Sequence, residues 1–318
     1  MQAIPALVPL ICGMLSAMAT RTGALSVFFL LPIGFAASVW GKKAALLSAL
    51  VAFLANIVSV IMLGRAFEAS FLESLVDIIY FSIMLGMFLF SMLPLQVKLK
   101  GRVLRLSGEY RLCIAALVCF IAIALSMQVL YEGGIDGFIY GQAEAFSALF
   151  QAETLNVSAI ADMAKTVLLR GAMCASLMLL FYFTRVLSLW AGRLVKRLKG
   201  KELSVQKTGL VAFHIDRHVL WIFAGAVVLS IVGNVLKWQP LEIASWNLLV
   251  MLALLYLGQG YGIVMAFIAS KTKRRPNGGF FPGLLFVIIL MTPMLNMVFL
   301  AILALLGIAE NWLPLRQQ

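Results

Sequence analysis

The sequence predicts an all-α, polytopic integral membrane protein with eight to nine transmembrane helices. Three observations carry this. The 318 residues are 63% hydrophobic and only 12% charged, with a mean hydropathy of +1.03, whereas a soluble domain is nearer half apolar and a quarter charged. Apolar runs of spanning length recur along the whole chain. The basic residues gather in short segments between those runs, which is the pattern of membrane topology rather than of a folded basic surface. The net charge of +12 is therefore no sign of nucleic acid, and the bilayer itself is the first partner. The chain reads as a single transmembrane domain over 1–318.

The runs fall at about 4–20, 24–40, 44–63, 74–95, 112–131, 166–190, 219–238, 244–268 and 280–308. Only Arg21-Thr-Gly23 separates the first two, so they form either a tight hairpin or one irregular element. The first run lacks a basic leader and a cleavage site and reads as a retained helix. Three basic segments, 96–111, 185–217 and 269–279, hold 17 of the 25 Lys and Arg residues, which predicts that they are cytoplasmic loops. They alternate with 132–165, which carries five acids (Glu132, Asp136, Glu144, Glu153, Asp162) and Lys165, and so faces outward. Gly133-Gly134 predicts a turn at its start. Phe146, Leu149 and Phe150 follow helical spacing, so a short amphipathic helix on the outer surface is expected. Asn156-Val-Ser158 fits a glycan acceptor in form. With nine crossings the amino terminus is cytoplasmic, and with eight it is not.

Polar residues inside the runs are the informative ones, because an unsatisfied polar group in hydrocarbon is expensive. Asn56, Gln259 and Asn296 lie near run centres, as do Pro32 and Thr292-Pro293. A proline in mid-helix removes a donor and frees a carbonyl, and broken helices with polar groups at depth are how many transporters build a binding site. Gln259, Thr292 and Asn296, walled by Tyr256 and Tyr261, are the candidate solute site. The competing account is that Gln259 and Asn296 bond each other as packing glue. Gly258 and Gly262 are four apart and share one helix face, where a second helix can approach closely, and Pro293 loosens the partner helix.

No nucleophile elbow, phosphate loop or His-Glu-x-x-His occurs, so an enzyme is not expected, and no cofactor. His214 and His218 share a helix face but lack a third ligand, so no metal is expected either. Cys12, Cys113, Cys119 and Cys174 sit singly within apolar runs and read as small buried hydrophobes.

The C-terminal third carries a resemblance. Tyr256-Leu-Gly-Gln-Gly260, then an apolar run, then Leu306-Gly-Ile-Ala-Glu-Asn-Trp-Leu-Pro-Leu-Arg316 resembles the YybS-like family of bacterial multipass membrane proteins. That family shows a Gln-Gly in its penultimate helix and ends in a Leu-Gly-Leu-x-Asp-x-Trp-x-x-Phe-Arg pattern. Here Glu310 stands at the Asp position and Leu315 at the Phe position. Leu31-Pro-Ile33 and Gly41-Lys-Lys43 are similar to its amino-terminal pattern. The family is distantly similar to the membrane subunits that bind vitamins in energy-coupling-factor importers. The resemblance implies a bacterial cytoplasmic membrane protein that carries or binds a small solute. The alternative is a non-transporting scaffold that docks a protein partner, or anionic lipid, through its basic cytoplasmic loops.

Overall fold

The helix over Lys42–Phe67 shows which solvent this chain is built for. In the computed structural model, Ala44, Ala45, Ser48, Ala49, Ala52, Asn56 and Val60 are buried against neighbouring helices, and Leu46, Leu47, Leu50, Leu54 and Val58 are exposed. Small and polar side chains face protein while large apolar ones face outward. A helix in water has the reverse order, and a helix in lipid has this one.

The structure describes residues 7–20, 28–67, 71–93, 96–99, 102–105, 107–149, 156–198, 213–272, 295–313 and 315. They divide into two compact units, Met1–Leu203 and Ser204–Gln318, with the boundary inside the basic segment 185–217. The first unit holds α1 (Leu7–Ala19), α2 (Leu31–Trp40), α3 (Lys42–Phe67), α4 (Phe71–Met92), α5 (Gly108–Leu130), α6 (Gly134–Leu149), α7 (Val157–Val167) and α8 (Met173–Leu198). The second holds α9 (Arg217–Val235), α10 (Gln239–Thr272) and α11 (Leu295–Ala309).

Among the described residues, six helices are long and apolar enough to cross a membrane: Lys42–Met62, Ser74–Met92, Gly108–Leu130, Val157–Leu198, Arg217–Val235 and Gln239–Ile268. The chain is thus a multipass helical membrane protein, but the expected eight to nine spans are not reached among the described residues. The first two runs account for part of the difference. Their helices have 13 and 10 residues, which at 1.5 Å per residue is about 20 and 15 Å, short of a bilayer core of about 30 Å. α2 is bounded by Pro32 at its start and by Gly41, with φ +88°, at its end. Pro32 lies in the first turn of α2 and not at mid-helix, where a missing N–H costs nothing. Of the last run, Val298–Ala309 is a short apolar helix, and 280–294 lie outside the described residues.

The basic segments are less loop-like than expected. Within 96–111, Gln96–Leu99 pairs antiparallel with Arg102–Arg105, Val97 opposite Leu104, so the fold is helical with one small hairpin. Arg111 already belongs to α5. Arg185, Arg193, Lys196 and Arg197 belong to α8, while 199–212 and 273–279 lie outside the described residues.

The segment 132–165 holds two helices, not one. Gly133 and Gly134 both have positive φ, +80° and +64°, and make the turn out of α5. Ile139, Ala143 and Ala161 pack α6 on α7, with Ile135, Phe138 and Ile160 around them. The packed face of α6 is thus 135, 138, 139 and 143; Phe150, assigned to the amphipathic face from sequence, lies outside the described residues, as do the side chains of Phe146 and Leu149. Asn156 caps α7, its Oδ1 accepting from the Ala159 N–H at 3.3 Å. After α7 the helix widens into a π turn at Leu168–Ala172 and breaks at Arg170 and Gly171, where φ reaches +134° at the glycine.

Two pairs of small residues hold α2 on α8. A Cβ on Gly34 would stand 2.9 Å from the Ser188 Cβ, and one on Gly192 would stand 2.8 Å from the Ser38 Cβ. Each helix contributes one glycine and one serine four residues apart, in opposite order, so the backbones approach closely. The Ser38 hydroxyl donates to the Ser188 carbonyl across the interface at 2.9 Å. Gly192→Leu is expected to cost on the order of 1–3 kcal/mol, read as a lower melting temperature in detergent. The exchange Ser38→Gly with Gly192→Ser conserves volume and should recover most of the loss; a pair that behaves no better than Gly192→Ser alone would show that this contact does not hold α2.

Charge separates along the first unit. Because Gly34 meets Ser188 and Ser38 meets Gly192, α2 and α8 run parallel, which brings Lys42 and Lys43 at the start of α3 towards Lys196 and Arg197 at the end of α8. Glu132, Asp136, Glu144 and Asp162 lie around α6 and α7, beyond the far end of α5. There Lys165 Nζ meets Asp136 Oδ1 at 2.6 Å, an exposed pair of the kind that adds little stability.

Candidate functional site at the junction of α9, α10 and α11

α10 is the continuous element of the second unit, 34 residues long. α9 returns on it through the turn at 236–238, where Lys237 takes positive φ, and Gly233 sits against the backbone of Glu242. Nineteen residues of α9 bring its amino end level with Gln259. α11 packs on the other part of α10, antiparallel, because Gly260 lies under the Leu303 carbonyl and Gly307 under the Tyr256 carbonyl. The amino end of α9 and the carboxyl end of α11 therefore arrive at the same level of α10.

That level is where the buried polar groups collect. Gln259 is fully buried, and its Oε1 accepts from the Ile215 N–H at 2.8 Å. Ile215 itself is fully buried, so this bond anchors the segment that leads into α9. The Arg217 Nε donates to the Asn311 carbonyl just past α11, at 2.7 Å, placing a cation at the negative end of that helix. Asn311 turns its amide back onto the Ile308 carbonyl at 3.0 Å. Glu310 is buried, with Oε2 4.0 Å from Nδ1 of the more exposed His214. Tyr256 is fully buried and stacks edge-on against Phe223 of α9, ring centroids 5.8 Å apart.

Of the residues predicted from sequence, Gln259 and Tyr256 come together here, three positions apart on one face. Tyr261 is half-buried and lies two positions from Gln259, about 160° round the helix, so it does not share that face. The backbone-to-backbone approach to α11 is at Gly260, the middle glycine of the three; Gly262 is buried and Gly258 half-buried on the other side of α10. Thr292 and Pro293 lie outside the described residues, as does the side chain of Asn296. The Gln259 oxygen accepts from a backbone N–H of the α9 leader, while the competing bond from Gln259 to Asn296 falls outside the described side chains.

Glu310, Asn311 and Arg217 were not predicted. The signal available for the first two was their place directly after a purely apolar helix, in the Glu-Asn-Trp stretch that carries the family resemblance. His218 is exposed, and among the described residues no three His, Cys, Asp or Glu side chains converge as metal ligands. In the first unit, a separate cleft of about 200 Å³ opens between α4 and α5, lined by Val76, Ile79, Tyr80, Ile83, Leu125 and Ser126.

No family model, curated protein or solved structure matches the chain. The geometry of the junction is thus the main basis for a functional reading. It offers amide, carboxyl and backbone hydrogen-bonding groups at helix ends within an apolar unit, and no nucleophile–base pair among the described residues.

Proposed function

We propose that the protein is a transport-related membrane subunit that binds a small solute at the junction of α9, α10 and α11. The observation that carries this is the meeting of two helix ends against a continuous third helix at a buried Gln259. Helix ends leave backbone groups without intrahelical partners, and transporters place such ends and interrupted helices around their substrates. At the same junction, the buried carboxyl of Glu310 favours a solute that presents hydrogen-bond donors. The likeness of Tyr256–Gly260 and 306–316 to the YybS-like family supports the same reading by analogy. We place the chain in a bacterial cytoplasmic membrane, with the basic end of the first unit inside, because positive residues are retained there.

The test is native mass spectrometry of protein purified from its own membrane, beside Gln259→Leu and Gln259→Glu. The wild type should retain a small non-lipid molecule at a defined ratio, and both variants should lose it. Gln259→Leu should also cost about 1–3 kcal/mol, because the buried Ile215 N–H is left without an acceptor. Gln259→Glu keeps an acceptor oxygen and should unfold nearer the wild-type temperature. A wild type that carries lipid alone, or variants that retain the molecule as well as the wild type does, would end this reading and leave Gln259 as an anchor for α9.

A further inference from the structure

Two arginines are brought together at the amino end of α5, in the first unit and apart from the junction above. Arg185 of α8 is half-buried, and its guanidinium lies against Gly108: a Cβ on that glycine would stand 2.5 Å from Nη1 and 2.7 Å from Nη2. Arg111, one turn into α5, is 6% exposed. Its Nη1 donates to the Phe90 and Leu93 carbonyls at the end of α4, and its Nε to the Ser107 carbonyl. The charged groups that act on Arg111 are Arg185 and Glu109. Arg111 is committed to carbonyls, and among the described residues Arg185 has neither a hydrogen bond nor an ion pair.

Like charges held together in a partly dry place repel more than in water, and the arrangement persists at least cost when an anion sits between them. A guanidinium presents paired N–H donors that match two oxygens of a phosphate. The first N–H groups of α5, at Gly108 and Glu109, add donors that no helix satisfies internally. The position suits a lipid. α4 ends and α5 begins here, next to the basic stretch 98–105, and α5 exposes Ile114 and Leu117 and α8 exposes Phe183 and Val186 to acyl chains.

We propose that Arg185, with the positive field of the buried Arg111 behind it, holds the phosphate of an anionic phospholipid headgroup at the amino end of α5. Full-length protein in neutral detergent is titrated with phosphatidylglycerol, with phosphatidylcholine and with inorganic phosphate, and thermal unfolding is followed. Phosphatidylglycerol should raise the melting temperature and phosphatidylcholine should not. Arg185→Gln should weaken phosphatidylglycerol binding about tenfold, the loss of one charge-assisted contact, with the lipid-free melting temperature unchanged. Glu109→Gln removes the carboxylate that acts on Arg111 and should tighten binding. Equal shifts from the two lipids, undiminished binding by Arg185→Gln, or unchanged or weaker binding by Glu109→Gln would each overturn the proposal. If inorganic phosphate reproduces the whole shift, the site takes a free anion and the lipid assignment fails. Should Arg185→Gln not fold, Arg185→Lys, which keeps the charge but loses the fork, is expected to fall between wild type and no binding, and wild-type binding by it would count against the site.

Discussion

Gly260→Leu is expected to separate α11 from α10 and to cost about 3 kcal/mol, at the upper end of what overpacking usually costs. The obstacle is backbone, not a side chain that can turn away: the first carbon of any side chain at 260 would fall on the Leu303 carbonyl. Gly307 is the reciprocal case, its missing Cβ falling on the Tyr256 carbonyl and 3.1 Å from the Gly260 nitrogen. Gly260→Ala should therefore already be harmful. Gly225→Ala in α9 is the control, because nothing lies within 4 Å of a Cβ there, and alanine favours a helix by up to about 1 kcal/mol. Thermal unfolding in detergent decides it. If Gly260→Leu melts with Gly225→Ala, the crossing of α10 and α11 is not as described.

Arg111→Leu is expected to be nearly as damaging, on the order of 3 kcal/mol, since it leaves the Phe90, Leu93 and Ser107 carbonyls without their charged donor. These carbonyls close the end of α4 and the start of α5, so the loss should loosen the hairpin region first. Hydrogen exchange at 88–93 should speed up before the rest of α4. Arg185→Gln, on the neighbouring α8, should leave the same amides protected. If both variants behave alike, Arg111 is not the residue that ties α4 to α5.

The two outcomes also separate what sequence could say from what it could not. The run over 44–63 was legible as a span because its composition alone excludes water. Which of its faces meets protein was not, since the helix is apolar nearly all round and carries only a weak stripe of alanine, serine and asparagine. Gly133-Gly134 was legible as a turn, because only glycine takes two successive positive φ values at low cost. Gly171 was not, because one glycine in a long apolar run is equally compatible with an unbroken helix. Gln259 stood out from sequence as a buried amide that must bond. Its partner could not be named, because the Ile215 N–H lies 44 positions away and carries no signal in its side chain.

By itself, then, the sequence determined a helical membrane protein and the places where its basic and acidic stretches lie. Those follow from composition and from the thickness of a bilayer, which are properties of single segments. Only the tertiary structure decided that α1 and α2 are too short to span, that Ser38 and Ser188 fill the places left by Gly192 and Gly34, and that Arg185 lies beside Arg111. The physical reason is common to all three. In lipid, helices gain little from burying apolar surface, so their pairing is set by where backbones can approach and where polar groups find partners, and both are properties of two segments at once.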